Sequence, residues 1–203
     1  MAQDAGSILP GAAVAQVASA SGAMGPGELD ETVGEKVRIN VPAIGKLTYQ
    51  QLFQMTSNQG ETLDAFLLRV GPKLRAYSDA TGFEACGEIA HKDGRFGIVA
   101  GTSFSHLACA IFKNKVPAGM EPIGAGIHSH GGKHPFKQTR EDRVFSGIGD
   151  DPRAIVSAIV YGQELDMFSQ QDMALGRGYL AIPGGVLLNE PNRGVSRLVA
   201  SAQ

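Results

Sequence analysis

The stretch from Ile123 to Asp142 restricts the fold of this chain more than any other. Residues 123–127 are apolar and read as a strand ending in His128-Ser129-His130. Residues two apart on a strand face the same side, so the two imidazoles point one way and can meet one metal ion. Gly131-Gly132 permits an abrupt turn, and Thr139-Arg140-Glu141-Asp142 has the form of a helix start. Thr139 stands as N-cap, with Asp142 three residues on at the spacing of a capping pair. A carboxylate on that first turn can alternatively point inward as a third ligand.

The rest of the chain supplies a mixed frame. Residues 47–58 read as a short helix. Leu63, Phe66, Leu67, Val70, Leu74 and Tyr77 then recur at helical spacing, giving one apolar stripe. Gly71-Pro72 interrupts it and predicts a kink or two abutting helices, and residues 79–82 supply a stop. Strand-like segments bounded by turn residues follow at 87–90, 95–104, 106–113, 123–130, 154–161 and 178–188. Helices flanking a mostly β centre predict an α/β (α+β) domain over residues 36–203, with a central mixed β-sheet sandwiched by helices. Residues 1–35, rich in Ala, Gly and Ser, read as a flexible arm, with residues 12–20 a possible helix on a protein partner.

Several function classes are disfavoured. The net charge is −2 and charged residues make up 19% of the chain, which offers no basic field for nucleic acid. A phosphodiester substrate finds no support for the same reason. The apolar stretches fall short of the ~20 residues that span a bilayer. The first basic residue is Lys36, so the N-terminus lacks a signal-peptide n-region. The expectation is a cytoplasmic protein, or one exported without a signal peptide by a dedicated apparatus. Cys86 and Cys109 make no disulfide framework and are expected as buried free thiols.

Two imidazoles and one carboxylate leave the fourth tetrahedral position for water, the pattern of a catalytic zinc site. A general base must then take a proton and deliver it to the leaving amine. Glu84, in Phe83-Glu84-Ala85-Cys86-Gly87, is a carboxylate available at the start of a strand, with Glu88 as an alternative.

The order Glu, His-x-His, Ser/Thr-x-x-Asp resembles the JAMM motif of the JAB/MPN metallopeptidases. Glu84-Ala85-Cys86-Gly87 and Thr139-Arg140-Glu141-Asp142 look like their counterparts in RadC-like members. The resemblance implies a JAB/MPN-like (cytidine-deaminase-like) architecture, Zn2+ as cofactor, and His128, His130 and Asp142 as ligands. It also implies Glu84 as general base and Thr139 as the hydroxyl that steadies the oxyanion or the water. The expected activity is hydrolysis of an amide bond in a peptide or protein substrate, with a bacterial effector or toxin-type module as one setting. The interval from His130 to Thr139 is one residue longer than the family's, and Thr139 replaces its Ser. A displaced helix would put Glu141 or His134 in the ligand position, with Asp150 and Asp151 further along.

Two other readings compete. Cys86 with His128 or His130 would make a cysteine peptidase, which leaves Asp142 without a role. A metal-free MPN-like scaffold would bind partners without catalysis. His91 and His106 have no sequence partner and read as surface or hydrogen-bonded histidines.

Overall fold

The computed structural model describes residues 27–132, 134–149 and 159–198. Along them run β1 (Leu29–Asp30), β2 (Val37–Val41), β3 (Gly45–Thr56), α1 (Leu63–Thr81), β4 (Ala85–Lys92), β5 (Arg95–Thr102) and β6 (Glu121–Ser129). Then follow β7 (Pro135–Lys137), α2 (Arg140–Phe145), β8 (Ile159–Tyr161), α3 (Gln170–Ala174), β9 (Gly178–Ile182), β10 (Gly185–Glu190) and β11 (Gly194–Arg197). The main sheet has the order β1-β3-β5-β4-β6-β9-β10-β11, with β2 also on β3, while β7 and β8 pair separately. The fold is therefore mixed α and β, with a mostly antiparallel sheet.

Among the described pairings, β6 with β9 is the parallel one, Gly126 lying opposite Gly178 and Ser129 opposite Ala181. Parallel neighbours need a crossover of a dozen or more residues. Here the crossover carries β7, α2, β8 and α3, and α3 arrives just before β9 begins. That route returns a helix to the strand that carries the two histidines.

Helix α1 backs the sheet. Thr62 caps its start by accepting from the Ala65 N–H, and Gly82, at φ 76°, ends it by donating to the Ser78 carbonyl. Phe66, Leu67, Val70 and Leu74 are fully buried against the sheet, each contributing roughly 1.5–3 kcal/mol of burial. Of the expected kink or two abutting helices at Gly71-Pro72, the second is not formed: one helix runs from Leu63 to Thr81 with Pro72 inside. Gly71 faces the sheet, where a Cβ would lie 2.8 Å from Val186 Cγ2. Glycine there permits the close approach, and the packing holds the helix through the proline.

Residues 47–58 form a strand and not the expected helix. Tyr49, Leu52 and Phe53 fall at helical spacing only because β3 shifts register between Gln51 and Phe53. Before that shift Tyr49 packs edge-on against Phe112; beyond it, Phe53 and Met55 join the core under α1. The bulge thus moves the apolar set from one face to the other.

The expected strand at 106–113 is an irregular loop. Its anchor is a disulfide between Cys109 and Cys86 on β4, which corrects the expectation of free thiols. With both sulfurs bonded, Cys86 offers no thiolate, and the nucleophile required by the cysteine-peptidase reading is absent from this fold.

The segment expected at 178–188 is a hairpin of β9 and β10. Of the arm, residues 29–30 pair with Met55 and Gln54, and the Gly34 N–H donates to the Gln51 carbonyl. Residues 12–20, Asp150, Asp151 and residues 154–158 lie outside the described residues. Among the described residues no helix is long and apolar enough to cross a membrane.

Candidate metal centre

Strand β6 delivers His128 and His130 to one side and Ser129 to the other. The Ser129 hydroxyl lies 2.7 Å from that of Ser78 on α1 and donates toward the Leu74 carbonyl at 3.2 Å. The buried Arg75 guanidinium donates to the His130 carbonyl. Gly131 then passes so close to α1's end that a Cβ would lie 1.8 Å from the Gly82 carbonyl oxygen. Helix α1 therefore clamps the His-Ser-His backbone from behind while both imidazoles face away from it.

The two rings approach with His128 Nε2 3.1 Å from His130 Nε2. His130 is fully buried, and its Nδ1 lies 2.6 Å from the Glu164 carbonyl oxygen. A carbonyl can only accept, so Nδ1 carries a proton and Nε2 is the atom turned to the neighbouring groups.

The carboxylate opposite these nitrogens belongs to Asp172, in the first turn of α3. Its Oδ1 lies 3.3 Å from His128 Nε2 and its Oδ2 3.3 Å from His130 Nε2. Ser169 and Asp172 form a capping box, with Oδ2 accepting from the Ser169 N–H at 2.8 Å and from its hydroxyl at 2.7 Å. Burial raises the Asp172 pKa, but hydrogen bonds from His128 and His130 outweigh it and hold the group well below the usual carboxylate range. One donor atom from each of His128, His130 and Asp172 lies within 4.8 Å of the others, a group that could hold a metal ion.

Glu84 stands at the foot of β4. Its N–H donates to the Ser105 carbonyl at 2.8 Å, and its carbonyl accepts from the Thr102 hydroxyl at 2.8 Å. The side chain is buried, and Oε1 has no hydrogen-bond partner among the described residues. Burial, with the carboxylates of Asp172 and Asp142 adding to it, raises the Glu84 pKa well above its usual value. Glu84, His128 and Asp172 line one cavity of about 380 Å³.

No family model matches this chain, and no curated protein or solved structure matches it either.

Thus Glu84, His128 and His130 share a site, while Asp142 and Thr139 lie in a neighbouring cluster. Thr139 and Asp142 make a capping box on α2. Asp142 Oδ1 accepts from the Ser105 hydroxyl and the His106 N–H, both at 2.7 Å, and Oδ2 accepts from the Thr139 N–H at 2.8 Å. The Thr139 hydroxyl donates to the Phe104 carbonyl. Asp142 is thus absent from the His128–His130 group because its oxygens are committed to the loop before it.

The alternatives are also placed. Glu141 accepts from the Thr48 hydroxyl at 2.7 Å, tying α2 to β3. Glu88 accepts from the Gly124 N–H and does not line the cavity. His134 and His91 are exposed, while His106 is buried and stacked on Phe136. Asp172 was missed; locally, Ser169-Gln170-Gln171-Asp172 only repeats the Ser/Thr-x-x-Asp spacing of Thr139–Asp142.

Proposed function

We propose that this chain is a zinc-dependent hydrolase of amide bonds, a peptidase or isopeptidase of JAMM type. His128, His130 and Asp172 are the ligands and Glu84 is the general base. The observation that carries this reading is Glu84 itself: a buried carboxylate with one unpartnered oxygen, sharing a cavity with His128 and Asp172. Such a group costs stability, and proteins keep perturbed carboxylates where a proton must be taken.

The donor chemistry fits zinc. Two imidazole nitrogens and one carboxylate oxygen are the set of many catalytic zinc sites, with the fourth position left open. The His130 Nδ1–H bond to the Glu164 carbonyl is the outer support that orients a ligating histidine. Held by His128, His130 and Asp172, zinc would supply a water of lowered pKa, about 7, and a Lewis acid for an amide carbonyl.

The chain's own residues do the rest. Glu84 takes the proton from the attacking water and delivers it to the departing amine. Asp172 supplies negative charge, and Ser169 keeps its carboxylate turned toward the imidazoles. The Ser169 hydroxyl is committed to Asp172, so its role is positioning.

The JAB/MPN-like architecture belongs to the same proposal, supported by α1 lying behind the strand that carries His128 and His130. The substrate is a peptide or protein. The Cys86–Cys109 disulfide favours an oxidising compartment, and hence export over residence in the cytoplasm. The test is hydrolysis of a peptide pool by the zinc-loaded chain beside its Glu84→Gln variant. Turnover that depends on zinc and on Glu84 supports the reading; turnover persisting in Glu84→Gln removes the proton shuttle.

A further inference from the structure

We infer that the site selects peptides carrying a large apolar side chain on a residue beside the scissile amide; this rests on the hydrolase reading above. The cavity over Glu84, His128 and Asp172 is far larger than an amide group needs, at about 380 Å³. The side chain of a residue next to the bond fills the space that the amide leaves.

Its lining joins the polar Glu84, His128 and Asp172 to large apolar side chains, Ile44, Leu107, Ile111, Phe112, Phe145 and Phe168. Ile44 and Ile111 remain 40% and 38% exposed, and Leu175, also lining the cavity, is 79% exposed. Large apolar side chains left open to water around a polar centre mark a ligand site. Arg177 also lines the cavity and donates to the Tyr179 hydroxyl at 3.0 Å. Glu84 and Asp172 add carboxylates to the same lining, so an acidic substrate side chain would lose water and meet like charge there. A glycine at that position would leave the apolar walls wet.

The cavity is also built to keep its shape. Its irregular wall, residues 107–112, is fixed by the Cys109–Cys86 disulfide and by Gln163 Nε2 donating to the Leu107 carbonyl at 2.9 Å. Ile111 Cδ1 fills the space beside Gly126, where a Cβ would come within 2.4 Å of it. A pre-formed apolar pocket binds without the cost of ordering its walls.

The test needs no turnover at first. The full chain is titrated by NMR with the N-acetyl amides of phenylalanine, leucine, glycine and aspartate. Phenylalanine and leucine amides should shift the resonances of Ile44, Ile111 and Phe112 and bind roughly tenfold or more tighter than the other two. Ile111→Asp, with Ile44→Asp as the second variant, should erase that preference while the remaining spectrum stays folded. Equal affinity for all four amides, or tightest binding of aspartate or glycine, overturns the inference. Peptide cleavage then separates the two claims. Cleavage without apolar preference retains the hydrolase and overturns the selectivity. Apolar binding without cleavage of any peptide overturns the hydrolase reading and leaves the apolar pocket standing.

Discussion

Asp142 holds His106 at two points, Oδ1 accepting its backbone N–H at 2.7 Å and Oδ2 lying 2.9 Å from its Nδ1. Both carboxylate oxygens are thereby held by the 105–106 loop. Asp142→Asn removes a buried, multiply bonded charge and should cost about 2–4 kcal/mol. Urea denaturation of the two proteins measures it. A loss under 0.5 kcal/mol would show that the Asp142 network is not what secures α2 to the loop.

The same residue makes stability depend on acid. Burial alone would raise the Asp142 pKa, but hydrogen bonds from His106, Thr139 and Ser105 bring it down to about 2. A carboxyl group lowered in the folded state stabilises fully above its ordinary value and loses that contribution as pH falls toward the folded value. Unfolding free energy should therefore fall between about pH 4 and pH 2 by an amount of order 2 kcal/mol beyond that of Asp142→Asn. Parallel curves for the two proteins would refute the assignment.

Glu84→Gln exchanges a buried carboxylate for a neutral amide of the same shape. Activity should drop by about 10²–10⁴-fold with zinc content unchanged. In metal-free protein the same change should raise the melting temperature, because the wild-type site retains a group that burial disfavours. A variant that loses zinc together with activity would place Glu84 among the ligands.

The disulfide closes a loop between residues 23 apart in sequence. Cys109→Ser, or reduction, should lower stability by about 3 kcal/mol. Amide exchange should speed up first at residues 107–112, the wall that Cys109 anchors. Unchanged exchange there would mean that packing of Phe112 and Ile111 holds the wall unaided.

The histidine pair was legible because strand periodicity is local: two residues apart means one face, whatever the tertiary fold. Glu84 was legible by its place at the start of a strand. Asp172 was not, because it comes to face the two histidines only after a crossover carrying β7, α2 and β8. The nearer Thr139–Asp142 pair met the same pattern and was satisfied locally as a cap. Fold reading failed in the same manner. Helix α1 showed its stripe plainly, but Tyr49, Leu52 and Phe53 concealed a strand because a bulge altered their phase. The Cys86–Cys109 pairing depends on how a loop without regular structure lies across β4, which no spacing encodes.

The most direct test of the account is zinc content of the purified chain beside Asp172→Ala and Asp142→Ala, with His128→Ala/His130→Ala as the empty reference. Near one zinc per chain is expected in the native protein and in folded Asp142→Ala, with a fall to the level of the histidine double variant in Asp172→Ala. Zinc retained in Asp172→Ala and lost from a folded Asp142→Ala would contradict it.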